Sequence, residues 1–342
     1  MNIKILYVGS LIKSPDRDTK WINAFKKLDQ FDIESFSTNI FGKKLSKLFN
    51  KVYPVLYTKL LEFKLDIIIK KFNPDWIHFR LPIEFSSNYI FSLSKKNIFL
   101  TEYFNDDPFS QKKNRGLYDN FFRNLKHFHM HLCYRKKNTR EFLKMGAKKA
   151  IYIGPLFDND FYHNNKFKNL KLIFDASFFG HWENDERSFY VESLINAGFN
   201  IKIHGSFWNN ENNKLLTKTN GKIKPLFGDD YIKISKQSYA SLCFFSKLNN
   251  DEITERVFEV ISIGSLLVAE RTNTMMEIFE DRKEVMLFSN VEELNSIILF
   301  IKKNTQIRNK MILRAQKKIL TLKNTVNDIL PLITKEFLNK VN

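Results

Sequence analysis

The sequence predicts an α/β protein of two domains, each with a parallel β-sheet covered by helices. The chain has 342 residues, which suits two domains, and its 43% hydrophobic content suffices for two cores. It opens with an apolar strand, a Gly-Ser turn and a helix, the usual start of a doubly wound domain. Near residue 265 a helix leads into a short apolar strand of the kind buried on both faces of a parallel sheet.

The composition argues against a disordered chain but does not identify a binding partner. Aromatic residues make up 15% of the chain, which argues against disorder. A total of 55 Lys and Arg against 37 Asp and Glu gives a net charge of +18. This charge suits nucleic acid, an anionic membrane or an anionic ligand. The lysines are scattered, however, and codon bias toward Lys, Asn, Ile and Phe explains them equally well.

Cysteine content and hydropathy predict a cytoplasmic protein. Cys133 and Cys243 are far apart and lack metal-ligand spacing, so a reducing compartment is expected. The first ten residues contain too short an apolar run for a signal peptide. No run reaches the ~18 apolar residues that a membrane-spanning helix needs. The basic surface leaves peripheral contact with an anionic inner membrane face open.

The first domain is predicted from strands alternating with helices. Residues 3–8 form a strand that ends at Gly9 and Ser10, and residues 19–28 form a helix. The turn lacks G-x-G-x-x-G, which weakens a dinucleotide interpretation. Residues 44–72 form a lysine-rich amphipathic region, with a break expected at Pro54.

Two polar groups later in this domain suggest chemistry. Asp106 and Asp107 precede Pro108 after a strand predicted at residues 97–100, where a catalytic or sugar-binding carboxylate, or simply a turn, is expected. Residues 126–132 predict a strand with three histidines on one face. Histidines at every second position of a flat strand rarely converge on one zinc ion, so a polar strand face is the prediction.

The second domain begins with a strand at residues 172–179 that ends at Gly180. A glycine there lets backbone N–H groups approach a phosphate closely. The next helix carries Arg187, which either contacts ligand or supports the glycine loop. The following strand, at residues 199–205, ends at His204 and Gly205 beside the same crevice.

The helix predicted at residues 251–263 has a narrow polar seam on an otherwise apolar surface. Arg256 and Glu259 share this seam, and Gly264 ends the helix. One interpretation is a local ion pair. The other is a ligand site at a helix N-terminus, where Arg256 binds a phosphate and Glu259 accepts hydrogen bonds from two hydroxyl groups of a ribose. Asp251, at the start of this predicted helix, is suited to be its N-cap.

The sequence of this helix and of the residues after it resembles a known family. R-V-F-E-V-I-S-I-G-S-L-L-V-A-E, followed by E-I-F-E-D-R-K-E-V-M-L-F, resembles the donor region of GT-B glycosyltransferases. The CgeB-like branch of the family-1 glycosyltransferases is the most similar, with R-x-F-E-x-x-x-x-G, an apolar strand and E-D-G-K-E-V-x-x-Y. The resemblance implies two Rossmann-like domains facing across a cleft, and it covers about a third of the chain.

The resemblance also implies roles for residues. Glu259 would hold the donor ribose and Arg256 the diphosphate, while Asp251 stands where related families place a glutamate near the sugar. The loop at Gly9 and Ser10 would face the acceptor. The implied domains are residues 1–157 and 172–325, with a linker at 158–171 and a helix at 326–342 packing on the first domain.

The predicted function is transfer of a sugar from a nucleoside-diphosphate sugar to a glycan, lipid-linked or other surface-glycoconjugate acceptor. Family relatives imply a retaining, metal-independent reaction without a cofactor; if the reaction inverts, Asp106 or Asp107 is the expected base. The alternative is a non-catalytic sugar- or nucleotide-binding protein of a polysaccharide pathway. Nucleic-acid binding is not expected, since the chain lacks an aromatic RNA platform and a recognition-helix motif.

Overall fold

The structure is a computed structural model that describes residues 2–11, 17–110, 116–157, 167, 170–209 and 214–341. The chain divides into two compact units. Unit 1 consists of Met1–Leu156 with Asn324–Asn342, and unit 2 consists of Phe157–Lys323. Most of the linker predicted at residues 158–171 lies outside the described residues.

Unit 1 contains a six-stranded parallel sheet with the strand order β2-β1-β3-β4-β5-β6. The strands are β1 Ile3–Gly9, β2 Phe31–Ser37, β3 Trp76–Arg80, β4 Phe99–Phe104, β5 Met130–Cys133 and β6 Ala150–Tyr152. The helices between them are α1 Arg17–Lys26, α2 Lys43–Val52, α3 Pro54–Phe72, α4 Ser87–Ser94, α5 Asp119–Asn124 and α6 Lys136–Lys144. The break between α2 and α3 falls at Pro54, as predicted, because proline fits the first turn of a helix but removes a hydrogen bond in its interior.

Unit 2 contains a five-stranded parallel sheet with the order β11-β10-β9-β7-β8. Its strands are β7 Phe174–Phe179, β8 Ile201–His204, β9 Ser238–Cys243, β10 Leu267–Glu270 and β11 Met286–Phe288. Its helices are α7 Arg187–Asn196, α8 Lys214–Asn220, α9 Gly228–Lys236, α10 Glu255–Ile263, α11 Asn273–Ile278, α12 Val291–Lys303 and α13 Thr305–Ile319. The prediction of two Rossmann-like domains is therefore confirmed. Gly264 ends α10 in the left-handed conformation at φ 85°, as expected.

The final helix, α14 Val326–Val341, belongs to unit 1. Its residues Leu330, Ile333 and Phe337 are buried in the core on one face of that unit's sheet. The Phe337 ring stacks on Trp76, with 6.3 Å between ring centroids. Lys149 and Glu336 form an ion pair at 2.6 Å, which ties α14 to the β6 side of the sheet.

The prediction of three histidines on one strand face is wrong. His127 ends a short 3₁₀ turn at Leu125–His127, His129 precedes β5, and only His131 lies within the strand. Residues 126 and 127, which the alternating pattern assigned to the strand, belong to the 3₁₀ turn instead. His131 is buried with its Nδ1 2.7 Å from Oε1 of Glu102. Among the described residues, no three His, Cys, Asp or Glu side chains are grouped to hold a metal ion.

Both cysteines are buried and free. Of the helices in the described ranges, none combines the length and apolar character needed to cross a bilayer.

Candidate functional site

The predicted donor residues lie at one edge of the unit 2 sheet. Gly180 follows β7, Gly205 follows β8, and α10 follows β9, which lies beside β7. In parallel sheets the carboxyl ends of the strands and the N-termini of the following helices form the ligand-binding edge. The sheet topology therefore brings together residues that are far apart in the sequence.

The loops after β7 and β8 are joined by hydrogen bonds. The Gly180 N–H donates to the His204 carbonyl at 2.9 Å, and Trp208 Nε1 donates to the Gly180 carbonyl at 2.8 Å. The Trp182 N–H donates to the Ser206 carbonyl at 2.9 Å. The N–H of Gly180 itself is thus bonded within the protein, and the approach of other backbone N–H groups of this loop to a phosphate stays a prediction. Gly180 permits close packing of the two loops.

His204 is a neutral acceptor beside this pair of loops. Its Nδ1 lies 3.3 Å from the Lys224 carbonyl, so we assign the ring proton to Nδ1. Burial lowers the pKa of His204, which keeps the ring neutral at physiological pH. Its Nε2 is shielded from solvent and has no hydrogen-bond partner among the described residues. The ring stacks on Phe179, with 5.6 Å between centroids.

Arg187 braces the loop after β7. Its Nε and Nη2 donate to the two carboxylate oxygens of Asp185 at 2.7 Å each, and Nη1 donates to the His181 carbonyl at 2.6 Å. Nη2 also lies 3.2 Å from Oε2 of Glu183. The side chain is buried, so of the two predicted roles the geometry matches loop support.

Arg256 and Glu259 lie in the first turns of α10. The Nη1 of Arg256 is 2.7 Å from Oε2 of Glu259, and the two side chains are 33% and 13% exposed. The guanidinium carbon also lies 4.7 Å from the centroid of the buried Tyr231 ring, within cation–π range. The local ion pair is thus present, and it stands partly exposed at the ligand-binding edge.

Asp251 does not cap α10. The helix begins at Glu255, and its N-cap is Thr254. A turn with Asn250 in the left-handed conformation, at φ 49°, precedes Asp251 and keeps it in a loop. The Asp251 N–H donates to the Ser246 carbonyl at 2.9 Å. The N-cap interpretation of Asp251 is therefore wrong.

Two glutamates that sequence analysis did not assign, Glu183 and Glu270, bond to the loop after β9 at this edge. Glu183 Oε2 accepts a hydrogen bond from Ser246 Oγ at 2.9 Å, which joins the loops after β7 and β9. Glu270, at the end of β10, accepts from the Phe245 N–H at 2.5 Å and pairs with Lys247 Nζ at 2.9 Å. The position of Glu270 directly after a buried strand was the available signal.

Two exposed aromatic rings were also missed. Phe207, after β8, is 72% exposed with φ 69°, and Phe227, the N-cap of α9, is 73% exposed. A bulky residue rarely adopts positive φ, and such strain is concentrated at functional sites.

In unit 1, Gly9 and Ser10 adjoin a charged cluster. A Cβ atom at Gly9 would lie 2.9 Å from Oδ1 of Asp18. Asp18 is buried, accepts from the Tyr7 hydroxyl at 2.6 Å and pairs with Arg80 Nη1 at 3.1 Å. The Ser10 hydroxyl accepts from Asn39 Nδ2 at 2.7 Å. These groups lie at the carboxyl ends of neighbouring strands β1, β2 and β3.

The two predicted catalytic carboxylates have different environments. Asp107 is buried; its Oδ1 accepts from Asn138 Nδ2 at 2.9 Å and its Oδ2 lies 2.7 Å from Lys137 Nζ. Asp106 is half-buried and accepts from the Tyr118 hydroxyl at 3.4 Å. Asp107 is therefore built into the fold, and Asp106 has the more accessible carboxylate.

Glu84, which follows β3 at the carboxyl edge of the unit 1 sheet, is a titratable group that sequence analysis missed. It follows β3 after Leu81, whose φ of 51° marks a strained turn. Burial raises the pKa of Glu84 to about 7, although its own N–H and the Arg80 guanidinium oppose the rise. Its Oε2 is shielded from solvent without a hydrogen-bond partner in the described ranges.

Comparison with known proteins agrees with this architecture. Residues 187–330 match the family model described as glycosyl transferase-like. A search of curated protein sequences found no match.

Solved structures match across the whole chain at low sequence identity. A glycosyltransferase from Rickettsia africae is 14% identical with a TM-score of 0.67, over 100% of this chain and 99% of that one. Anabaena HepE in complex with UDP-glucose is 13% identical with a TM-score of 0.66, over 98% and 100%. Sucrose-phosphate synthase from Thermosynechococcus elongatus is 6% identical with a TM-score of 0.72, over 98% and 99%. At these identities the likeness establishes the fold.

The predicted CgeB-like branch is narrower than these matches and stays a prediction. The glycosyltransferase-like domain at residues 187–330, within a chain of the GT-B fold, confirms the predicted class, a glycosyltransferase.

Proposed function

We propose that this chain transfers a sugar from a nucleoside-diphosphate sugar to a glycan, lipid-linked or other surface-glycoconjugate acceptor. The Arg256–Glu259 pair carries the proposal, because it places a guanidinium and a carboxylate one turn apart at a helix N-terminus on the ligand-binding edge. HepE, which shares the fold, was solved with UDP-glucose, so a UDP-hexose is the first donor to test.

The chemistry assigned to the pair follows from charge. As the bond between the sugar and the diphosphate breaks, negative charge grows on the leaving phosphate oxygen. The Arg256 guanidinium and the N-terminal end of α10 would stabilise this charge. The Glu259 carboxylate can accept hydrogen bonds from both ribose hydroxyls. Asp251 would contact the transferred sugar, and His204 would lie beside the donor next to Gly205.

We propose a retaining reaction that needs neither a metal ion nor a cofactor. Unit 1 would hold the acceptor near Gly9, Ser10 and Asp106. A retaining reaction requires no strong enzymatic base, so Asp106 would orient the acceptor or sugar. Were the anomeric configuration inverted, Asp106 would be the stronger candidate for the base, because Asp107 is already bonded by Asn138 and Lys137.

The proposal is tested by thermal shift and turnover with UDP-, GDP- and CMP-sugars. A nucleotide that binds only the folded protein raises its melting temperature. Arg256→Ala and Glu259→Gln should each abolish most of this shift and lower donor turnover at least tenfold. Glu280→Gln breaks an exposed ion pair with Lys283 and is the matched control. Undiminished binding and turnover in both site variants would remove the donor-site assignment.

A non-catalytic nucleotide- or sugar-binding protein is the second candidate. It is favoured by Asp251 in place of the family glutamate and by a Gly9–Ser10 turn that lacks the G-x-G-x-x-G pattern. Calorimetric binding of a nucleotide sugar, with no product from any acceptor or from water, would establish this candidate.

A further inference from the structure

One region of unit 1 exposes an unusual concentration of apolar side chains. Residues 41–67, which include α2 and most of α3, hold nine of the 27 exposed large apolar side chains of the described residues. We call these nine the α2–α3 surface; they are Phe41, Leu45, Leu48, Val52, Tyr53, Val55, Leu56, Phe63 and Ile67, at 41 to 70% exposed. A concentration of exposed apolar side chains is typical of a site of interaction with a partner or a membrane.

The apolar side chains are aligned by the helix period. On α2, Leu45, Leu48 and Val52 follow the spacing i, i+3, i+7 and share one face. On α3, Phe63 and Ile67 are four residues apart and share the outward face, opposite the buried Leu61 and Leu65. Each helix therefore presents an apolar stripe to solvent.

Lysines flank these stripes, and acidic side chains are absent from them. Residues 41–61 contain five lysines and no Asp or Glu; the lysines are Lys43, Lys44, Lys47, Lys51 and Lys59, all exposed. The two acidic residues of α3 are bonded inward. Glu62 accepts from the Ser86 N–H at 2.7 Å, and Asp66 from the Tyr89 hydroxyl at 3.1 Å.

The fold does not require this surface. Helix α2 buries only Ser46, whose hydroxyl accepts from the Phe41 N–H at 3.0 Å. The half-buried Phe49 ring connects α2 to α3, with 6.1 Å to the Tyr57 ring. Tyr57 in turn donates its hydroxyl to the Thr38 carbonyl. The inward contacts thus hold the helices in place and leave the outward stripes unused.

We propose that the α2–α3 surface docks on a lipid bilayer that contains anionic headgroups. The apolar side chains would enter the interfacial region, while the lysines pair with headgroup phosphates, the arrangement of an interfacial amphipathic helix. Charge complementarity favours this occupant over a second copy of the chain, because two such surfaces would bring five lysines against five. The inference does not rest on the proposed function, since vesicle binding is measured without donor or acceptor.

The test is co-flotation of the full chain with vesicles of phosphatidylcholine alone or mixed with phosphatidylglycerol. We expect binding to the anionic vesicles only, weakening as salt is raised. Lys44→Gln, Lys47→Gln and Lys51→Gln together should weaken binding about tenfold or more. Leu45→Ser, Leu48→Ser and Val52→Ser together should do the same, with an unchanged melting temperature because all three side chains are exposed.

Matched controls lie on and beside α13. Lys303→Gln, Lys310→Gln and Lys317→Gln remove equal charge, and Ile307→Ser, Leu313→Ser and Leu320→Ser remove exposed apolar surface elsewhere. Both triple controls should bind as the parent chain does. The proposal is overturned if anionic vesicles do not bind, or if control and α2–α3 variants lose binding equally. It is also overturned if light scattering shows a dimer that only the α2–α3 serine variant abolishes.

Discussion

Gly205 packs against the carbonyl oxygen of Gly180 so closely that a Cβ atom at Gly205 would lie 1.7 Å from it. No side chain fits there unless the loops after β7 and β8 separate. The same Cβ would lie 2.9 Å from Trp208 Nε1, which donates to that carbonyl. One contact therefore fixes two of the loops that form the candidate donor site.

Gly205→Ala should separate these loops. We expect a loss of about 3 kcal/mol in the free energy of unfolding, because the clash is with backbone and cannot relax through a rotamer. Nucleotide-induced stabilisation should also fall. Urea unfolding measures the first effect, with Gly221→Ala as comparison, since a Cβ at Gly221 meets open space and adds only the strain of φ 66°. Equal losses in the two variants would contradict the packing argument.

Arg187→Lys tests whether Arg187 is a brace. A lysine cannot reproduce the paired bonds to Asp185 together with the bond to the His181 carbonyl. We expect the free energy of unfolding to fall by roughly 2–4 kcal/mol, since buried polar groups lose partners. The exposed Arg282→Lys should change it by less than about 0.5 kcal/mol. A stable Arg187→Lys protein that has lost only nucleotide binding would instead indicate ligand contact.

Asp106 and Asp107 should respond differently to substitution by asparagine. Asp107→Asn places an amide where Lys137 and the Asn138 amide donate, so a loss of about 2–4 kcal/mol in stability is expected. Asp106→Asn should leave stability within about 0.5 kcal/mol, because its carboxylate is partly exposed. For a retaining enzyme Asp106→Asn keeps most of its turnover. A loss of roughly 10²–10⁴-fold would mark a general base and predict an inverted product by NMR.

Glu84 should make the stability of the chain depend on pH. Burial raises the pKa of Glu84 to about 7 from an ordinary 4.5, so between these values the folded chain binds more protons than the unfolded chain. Stability attributable to Glu84 is therefore intact below pH 4.5, falls as the pH rises, and is fully lost above pH 7. The loss is on the order of 3 kcal/mol.

Glu84→Gln removes this titration. Its free energy of unfolding should match that of the parent chain near pH 4 and exceed it by about 2–3 kcal/mol at pH 8. The exposed Glu34→Gln is the control and should follow the parent chain at both values. Parallel curves for Glu84→Gln and the parent chain would show that Glu84 titrates normally.

Sequence signals predicted the ends of helices well where a residue with a special backbone conformation, such as glycine or proline, sets the boundary. Gly264 marks the end of α10, because few other residues adopt its left-handed conformation, and Pro54 marks the start of α3, because proline fits the first turn but not the interior. The alternation of apolar strands and helices was sufficient for the fold class. The start of α10 was placed four residues early, because the left-handed Asn250 that holds Asp251 in a loop leaves no mark on apolar periodicity.

The location of a residue was predictable where it directly follows a strand, as Gly180 follows β7 and Gly205 follows β8. The roles of Gly180, Gly205 and Glu259 in binding a ligand stay predictions. The roles of the other residues depend on their burial and on their neighbours, which are set by contacts between residues distant in sequence. The sequence does not decide between the two predicted roles of Arg187, and it does not indicate that Glu84 is shielded near Tyr57 and Arg80.

Helix α14 has a consequence for the order of folding during synthesis. Unit 1 begins the chain, yet its core includes Leu330, Ile333 and Phe337, which leave the ribosome only after all of unit 2. Unit 2 can complete its core first, which reverses the usual N-terminal-first order. Until α14 arrives, the nascent unit 1 exposes Trp76 and Phe99, so chaperone binding should concentrate on this face during translation.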